Sequence, residues 1–183
     1  ACANACTGEQ GMLDAAEMRD ETAKKLGIES HLVAVASTGV IGEYMQMDKI
    51  RAGIKELVFS DTAESASDFE TAILTTDTFT KSCAFSANIG GKTVTVGGAA
   101  KGSGMIHPNM ATMLGFITTD ANISSEMLKK ALLEVVKDSF NMLSVDGDTS
   151  TNDTVAVLAS GLCGNDRIDS ENDDYFVFVS ALN

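Results

Sequence analysis

The chain has 183 residues, which is enough for one domain with a buried core. Hydrophobic residues make up 44% of it and charged residues 21%, the usual balance of a globular protein. The formal net charge of −13 repels phosphate backbones and anionic lipid headgroups, which argues against nucleic-acid binding and against a membrane-surface protein.

The first part of the chain predicts a helix, a strand and a turn. Residues 9–26 are rich in alanine and charge, and Gly27 stands where a left-handed residue would close the helix. The short apolar run from Leu32 to Ala36 is typical of a buried strand. This run leads into Ser37–Gly42, which we predict to be a turn because it contains two glycines.

The middle of the chain predicts two helices and a hairpin. Asp48 can cap the first helix, and the second covers residues 64–74. Residues 83–98 read as two strands joined at Gly90-Gly91. The sequence around these glycines is close to a phosphate-binding loop. It lacks the first glycine of that motif and continues as a strand, which favours a hairpin turn.

The last part of the chain predicts further strands and two helices. Residues 103–119 contain extended apolar sequence, and 154–159 read as a strand. Ser124 or Ser125 starts a helix with apolar residues at helical spacing, and the same spacing recurs near the end of the chain. The mixed order of helices and strands favours an α/β layered sandwich, and no segment looks like a linker. We therefore expect a single domain over 1–183.

Glycine is dense between Gly97 and Gly104, and Lys101 lies in the middle of this stretch. Glycines allow a ligand or another strand to approach the backbone closely, and a lysine among them can bind an anionic group. The alternative is a glycine-rich strand pair with a solvated lysine.

Thr112 lies after the small residue Ala111 and inside the apolar run Pro108–Leu114. Its hydroxyl can attack the carbonyl of the preceding residue, and water can then open the ester that this N→O acyl shift produces. The freed α-amine has a reference pKa of about 7.7–8.0, so it can act as the general base for its own hydroxyl. The alternative is an ordinary strand threonine.

Two loops offer further polar groups. Acyl transfer needs donors for a developing oxyanion, and Ser37-Thr38-Gly39 can supply backbone N–H groups and a hydroxyl, although an ordinary turn would look the same. The acidic loop, Asp146–Asp153, lacks the central glycine and the distal glutamate of an EF-hand. We predict a hydrogen-bonded structural loop there rather than a calcium site.

The cysteines and histidines do not form a recognisable metal or disulfide pattern. The cysteines are Cys2, Cys6, Cys83 and Cys163. None forms a CxxC pair, and His31 and His107 are far apart, so we expect free thiols in a reducing cytoplasm and no metal site. We do not assign His107 as a catalytic base.

These motifs together resemble the glutamate N-acetyltransferases of arginine biosynthesis, also called ornithine acetyltransferases. The matching stretches follow the family's order along the whole chain: Ala3–Gly8, Ser37–Gly42, Thr75–Thr78, Lys101–Leu114 and Asp146–Thr154. The stretch from Lys101 to Leu114 is nearly diagnostic by itself.

The resemblance implies self-cleavage between Ala111 and Thr112, followed by a ping-pong reaction. Thr112 takes an acetyl group from N-acetylornithine and passes it to glutamate. No cofactor is implied, although some members of the family use acetyl-CoA as a donor. The family fold is a layered αββα sandwich that resembles, but is distinct from, the N-terminal nucleophile hydrolases.

The resemblance also implies roles for individual residues. Thr38 and Gly39 match the family's oxyanion hole. Thr78, Lys101 and Thr112 match its substrate-binding residues.

Partners are implied as well. Family chains have residues before Ala1 and beyond Asn183, so this sequence is expected to be a central piece that works with those segments, and the cleaved fragments are expected to form a homo- or hetero-oligomer.

Two other functions fit the same residues. A self-processing aminopeptidase or amidase would pass the acyl group to water, and a non-catalytic ligand-binding or scaffold domain would never cleave.

Overall fold

The structure is a computed structural model that describes residues 1–106 and 113–183. Contacts group these residues into two compact units, Ala1–Thr75 and Thr76–Asn183. Helices occur in both units, and the second unit contains a four-stranded sheet. The predicted α/β class is therefore confirmed, while the assignment of the whole chain to one domain stays a prediction.

The first unit is built from helices. They are α1 (Gly8–Leu26), α2 (Met47–Glu56) and α3 (Ala63–Ala72), with a 3₁₀ turn at Ser30–Leu32. α1 ends where the sequence predicts, because Gly27 adopts the left-handed conformation with φ of 67°. α1 and α2 are joined by an ion pair in which the Arg51 guanidinium donates to the Glu17 carboxylate over 3.0 Å.

The predicted buried strand Leu32–Ala36 is wrong. Leu32 ends the 3₁₀ turn, and the residues after it have no partner strand in the described part of the chain. A strand needs a neighbour to take its N–H and C=O groups, and the nearby bridge joins Cys2 to Val40 instead. Leu32 is 63% exposed and Val35 is 38% exposed, so the apolar run is not buried.

The second unit is built on a sheet in the order β1-β2-β3-β4. Its strands are β1 (Lys81–Ile89), β2 (Lys92–Lys101), β3 (Leu114–Thr119) and β4 (Thr154–Ala159). β2 is antiparallel to both β1 and β3, and β4 is parallel to β3. Gly90 and Gly91 join β1 to β2 with φ of 56° and 78°, the pair of positive values that a tight hairpin needs. The hairpin prediction is confirmed.

Two helices cover one face of this sheet, α4 (Ser125–Asp138) and α5 (Asp173–Leu182). The Ser124 hydroxyl caps α4, and the Asn172 side chain caps α5 by accepting from the Tyr175 N–H over 2.9 Å. The core combines alternate strand residues with the buried helix faces: Ile89, Val94, Val96, Met127, Ala131, Val135, Tyr175, Phe178 and Leu182. Sheet and helices are thus held together by one apolar layer.

Phe178→Ala tests how much α5 contributes to this core. Phe178 is fully buried, whereas Phe176 on the same helix is 54% exposed. We expect Phe178→Ala to lower the free energy of unfolding by about 3–5 kcal/mol and Phe176→Ala by less than about 1 kcal/mol, as measured by urea denaturation. Equal losses for the two variants would contradict this packing.

Candidate functional site

A buried lysine lies at the end of β2. The Lys101 side chain is 1% exposed, and its Nζ is 3.6 Å from Oδ2 of Asp77, whose side chain is fully buried. An ammonium group is rarely taken out of water without a counter-charge, so the carboxylate makes this burial tolerable. The glycine-rich strand pair of the alternative is present, but its lysine is buried rather than solvated.

Asp77 organises the backbone around this lysine. Its Oδ1 accepts a hydrogen bond from the Gly102 N–H over 2.6 Å and another from the Lys81 ammonium over 2.9 Å. One carboxylate thus ties the start of β1 to the end of β2. Sequence analysis did not single out Asp77, although an acidic residue beside the predicted substrate residue Thr78 was a usable signal. Thr78 itself is exposed.

The strand register relates Lys101 to the predicted nucleophile. Lys101 lies opposite Leu114 across the β2–β3 pair, and Leu114 comes two residues after Thr112 in the sequence. The predicted cleavage residues Ala111 and Thr112, together with His107, lie outside the described residues. The register therefore places Lys101 next to the strand that follows Thr112.

The acidic loop forms hydrogen bonds with the chain on both sides of residues 107–112. The Asp146 carboxylate accepts from the N–H groups of Met105 and Ile106 over 2.6 and 2.9 Å. Oδ1 of Asp153 accepts from the Met113 N–H over 2.8 Å. The hydrogen bonds predicted for this loop are present.

The two carboxylates of this loop differ in their electrostatic environment. Backbone N–H groups, chiefly that of Met105, lower the pKa of Asp146 below its usual value. Burial raises the pKa of Asp153, and the Met113 N–H only partly offsets this effect. A side-chain hydrogen bond from Ser150 also lowers the pKa of Asp153, to a smaller extent.

The predicted oxyanion turn lies in the first unit. Residues at the start of the chain hold it, because the Val40 N–H donates to the Ala1 carbonyl over 3.1 Å and the Ala3 N–H donates to the Val40 carbonyl over 2.8 Å. Gly39 has φ of 135°, and a Cβ there would lie 2.3 Å from the Ala1 carbonyl oxygen, so no other residue fits. The hydroxyl of Thr38 is buried and makes no hydrogen bond within the described ranges.

A hollow of about 350 Å³ lies beside Thr38, within the first unit. Its walls include Met18, Met45, Lys49 and Ile50. A hollow of this size accommodates a small molecule. The Thr38 hydroxyl therefore lies beside a hollow, while its role as an oxyanion donor stays a prediction.

Residues 1–106 and 113–183 offer neither a metal-binding cluster nor a membrane-spanning helix. No cluster of three or more histidine, cysteine, aspartate or glutamate side chains in these ranges could bind a metal ion. Their helices are also too short or too polar for any of them to cross a bilayer.

The chain has close relatives of known sequence and structure. Curated proteins named arginine biosynthesis bifunctional protein ArgJ are 64% identical in Geobacillus kaustophilus and 59% identical in Bacillus subtilis, in both cases over 182 residues and 100% of this chain. The chain spans 44% of the length of each of these relatives. A crystal structure of the Bacillus halodurans protein of that name is 56% identical with a TM-score of 0.58, covering 60% of this chain and 58% of that one.

The family assignment extends over the whole sequence. Residues 1–183 match the model of the ArgJ family. The match agrees with the resemblance indicated by the motifs around Lys101 and Thr38, and the chain therefore belongs to the ArgJ family.

Proposed function

We propose that the protein is a self-processing acetyltransferase that moves an acetyl group from N-acetylornithine to glutamate. The observation that carries this proposal is Lys101, a buried ammonium held by Asp77 beside the strand that follows Thr112. A fixed cation there suits the carboxylate that donor and acceptor have in common. The names of the relatives, which refer to arginine biosynthesis, support the same pathway.

The first step of the proposed chemistry is cleavage of the backbone. The Thr112 hydroxyl oxygen attacks the Ala111 carbonyl carbon, the C–N bond between the two residues breaks, and the hydroxyl proton ends on the nitrogen. Water then hydrolyses the resulting ester. Thr112 is left with a free amine beside its own hydroxyl, and this pair forms a nucleophile with its own base.

The second step is acetyl transfer. The amine takes the hydroxyl proton while the Thr112 oxygen attacks the acetyl carbonyl, and ornithine leaves with that proton. The glutamate amine then attacks the acetyl ester and regenerates the hydroxyl. In this scheme the Thr38 hydroxyl and the Gly39 N–H stabilise the oxyanion, and Thr78 and Lys101 bind the substrates.

The proposed function includes a second acetyl donor and the assembly of the cleaved fragments. Acetyl-CoA is a candidate second donor because its thioester carries the same acetyl group, and no bound cofactor is required. We further propose that the two cleaved fragments act together with the segments that the longer relatives contain, in the cytoplasm and in an oligomeric form.

Thr112→Ala tests the nucleophile. In the complete gene product this variant should remain uncut after residue 111 and should transfer no acetyl group, because both steps need the hydroxyl. Thr112→Ser keeps a hydroxyl and an amine, so it should retain partial cleavage and activity. Mass spectrometry and an assay of N-acetylglutamate formation provide the readouts.

The same experiment separates the alternatives. Cleavage of the Thr112→Ala variant after residue 111 would contradict the autocatalytic mechanism. Wild-type protein that releases acetate without acetylating glutamate would point to the aminopeptidase or amidase, and a wild-type chain that stays intact and inactive would point to the scaffold.

Lys101→Met tests the substrate carboxylate site, with Lys81→Met as the matched control because both ammonium groups contact Asp77. Lys101→Met should lower kcat/KM by about 30-fold or more, since a charge-assisted hydrogen bond contributes about 2 kcal/mol. Lys81 is 34% exposed at its side chain, so Lys81→Met should change kcat/KM by less than about threefold. Equal effects would indicate that Asp77 rather than the buried ammonium matters.

Thr38→Val tests the oxyanion turn. Because the Thr38 hydroxyl has no partner among the described residues, the isosteric valine should leave Tm unchanged or raise it. The loss of an oxyanion donor should lower kcat by about 10²–10³-fold. Thr7→Val is the control, since the Thr7 hydroxyl donates to Asn4 over 2.7 Å and its loss should lower Tm. An unchanged kcat in Thr38→Val would exclude the assigned role.

A further inference from the structure

The two oxygens of the Asp77 carboxylate make different contacts. Oδ1 accepts hydrogen bonds from the Lys81 ammonium over 2.9 Å and from the Gly102 N–H over 2.6 Å, whereas Oδ2 lies 3.6 Å from Nζ of Lys101. The last distance is longer than a hydrogen bond, so Oδ2 acts on Lys101 through its charge. An asparagine at position 77 would keep an acceptor for the Gly102 N–H but would bring no charge to Lys101.

The two lysines differ in how strongly they need this charge. The Lys81 side chain is 34% exposed, and its ammonium lies 4.4 Å from the centre of the Phe79 ring, so water and the ring both stabilise it. The Lys101 side chain is 1% exposed. Because a buried ammonium without a counter-charge is costly, loss of the Asp77 charge would act mainly on Lys101.

Asp77 also lies beside a second predicted substrate residue. Thr78 follows it directly in the sequence and is exposed. The hydrogen bond from Gly102, the residue after Lys101, ties Asp77 to the end of β2. Two residues that the proposed function assigns to the substrate therefore share one anchor.

We propose that Asp77 is a positioning residue for Lys101, an inference that rests on the proposed function. Its negative charge holds the Lys101 ammonium at the buried end of β2, where the ammonium binds the carboxylate of the substrate. Asp77 does not itself bind the substrate in this role, and it neither gains nor loses a proton.

The expected kinetic effect follows from the flexibility of lysine. Its four-carbon stem adopts many rotamers, and an ammonium that loses its counter-charge either turns towards water or gives up its proton. In both cases the substrate carboxylate no longer meets a fixed cation. Such a contact binds substrate and transition state alike, so its loss appears mainly in KM.

The test is a double-mutant cycle on the complete gene product, in which glutamate is varied at saturating N-acetylornithine. Asp77→Asn should raise the KM for glutamate by about tenfold or more and change kcat by less than about threefold. In the Lys101→Met background the same substitution should change this KM by less than about threefold, because the group through which Asp77 acts has been removed.

The thermal stability of the same four proteins provides a second measurement. Asp77→Asn should lower Tm by about 5 °C or more, because it leaves a buried ammonium without a counter-charge. The double variant should regain most of this loss, since both charges are then absent. A merely structural role for Asp77 would lower Tm and the yield of active enzyme but would leave the KM for glutamate at its wild-type value.

Asp120→Asn is the matched control. Asp120 also accepts a backbone N–H of β2, that of Thr95, over 2.8 Å, and asparagine keeps this acceptor, so the KM for glutamate should stay within about twofold of wild type. If Asp77→Asn does not fold, Asp77→Ser completes the cycle. Its small neutral side chain leaves room for a water molecule beside the ammonium, and its effect on KM should depend on Lys101 in the same way.

Two results would overturn the inference while leaving the proposed function intact. A wild-type KM for glutamate in Asp77→Asn would show that the charge is not needed, and an equal rise in KM with and without Lys101→Met would show that Asp77 acts independently of Lys101. A wild-type protein that forms no N-acetylglutamate would overturn the proposed function and this inference with it.

Discussion

The contact between Asp77 and Lys101 is the interaction on which the candidate site depends. Burying an ammonium group without a counter-charge costs several kcal/mol of hydration free energy. For the same reason, removing one partner of a buried ion pair strongly destabilises a protein. Oδ1 of the Asp77 carboxylate also accepts hydrogen bonds from the Gly102 N–H and the Lys81 ammonium. The Asp77 side chain therefore provides the counter-charge for Lys101 and also joins the start of β1 to the end of β2.

Local sequence signals predicted several parts of the fold that depend on local chemistry, although Asp48, the predicted cap of α2, lies inside that helix. Gly27 closes α1, Gly90-Gly91 forms the hairpin turn, and Ser124 caps α4, in each case because a particular backbone angle or side-chain acceptor is required at that position. The prediction of a strand at Leu32–Ala36 was wrong because a strand needs a pairing partner from elsewhere in the sequence.

The difference between local signals and contacts distant in sequence also explains which site residues could be predicted. Motifs indicated Lys101 as a functional lysine and Thr38-Gly39 as a special turn, and the structure adds the burial of Lys101 and the close approach of Ala1 to Gly39. Asp77 was missed because it is far from Lys101 in sequence, and only the β1–β2 pairing places the two together. The acidic loop was read as structural, and its bonds to the ends of a distant segment could not be inferred from composition.

The strand order has a consequence for the two fragments that cleavage after residue 111 would produce. β1 and β2 precede the break, whereas β3, β4, α4 and α5 follow it. Six residue pairs between β2 and β3, from Val96–Thr119 to Lys101–Leu114, would then join two separate polypeptides within one continuous sheet. Dissociation would strip Ile89 and Val94 from the helices that cover them and expose apolar surface on both pieces. A molecule nicked there would be held together by strand pairing and core packing rather than by a covalent link.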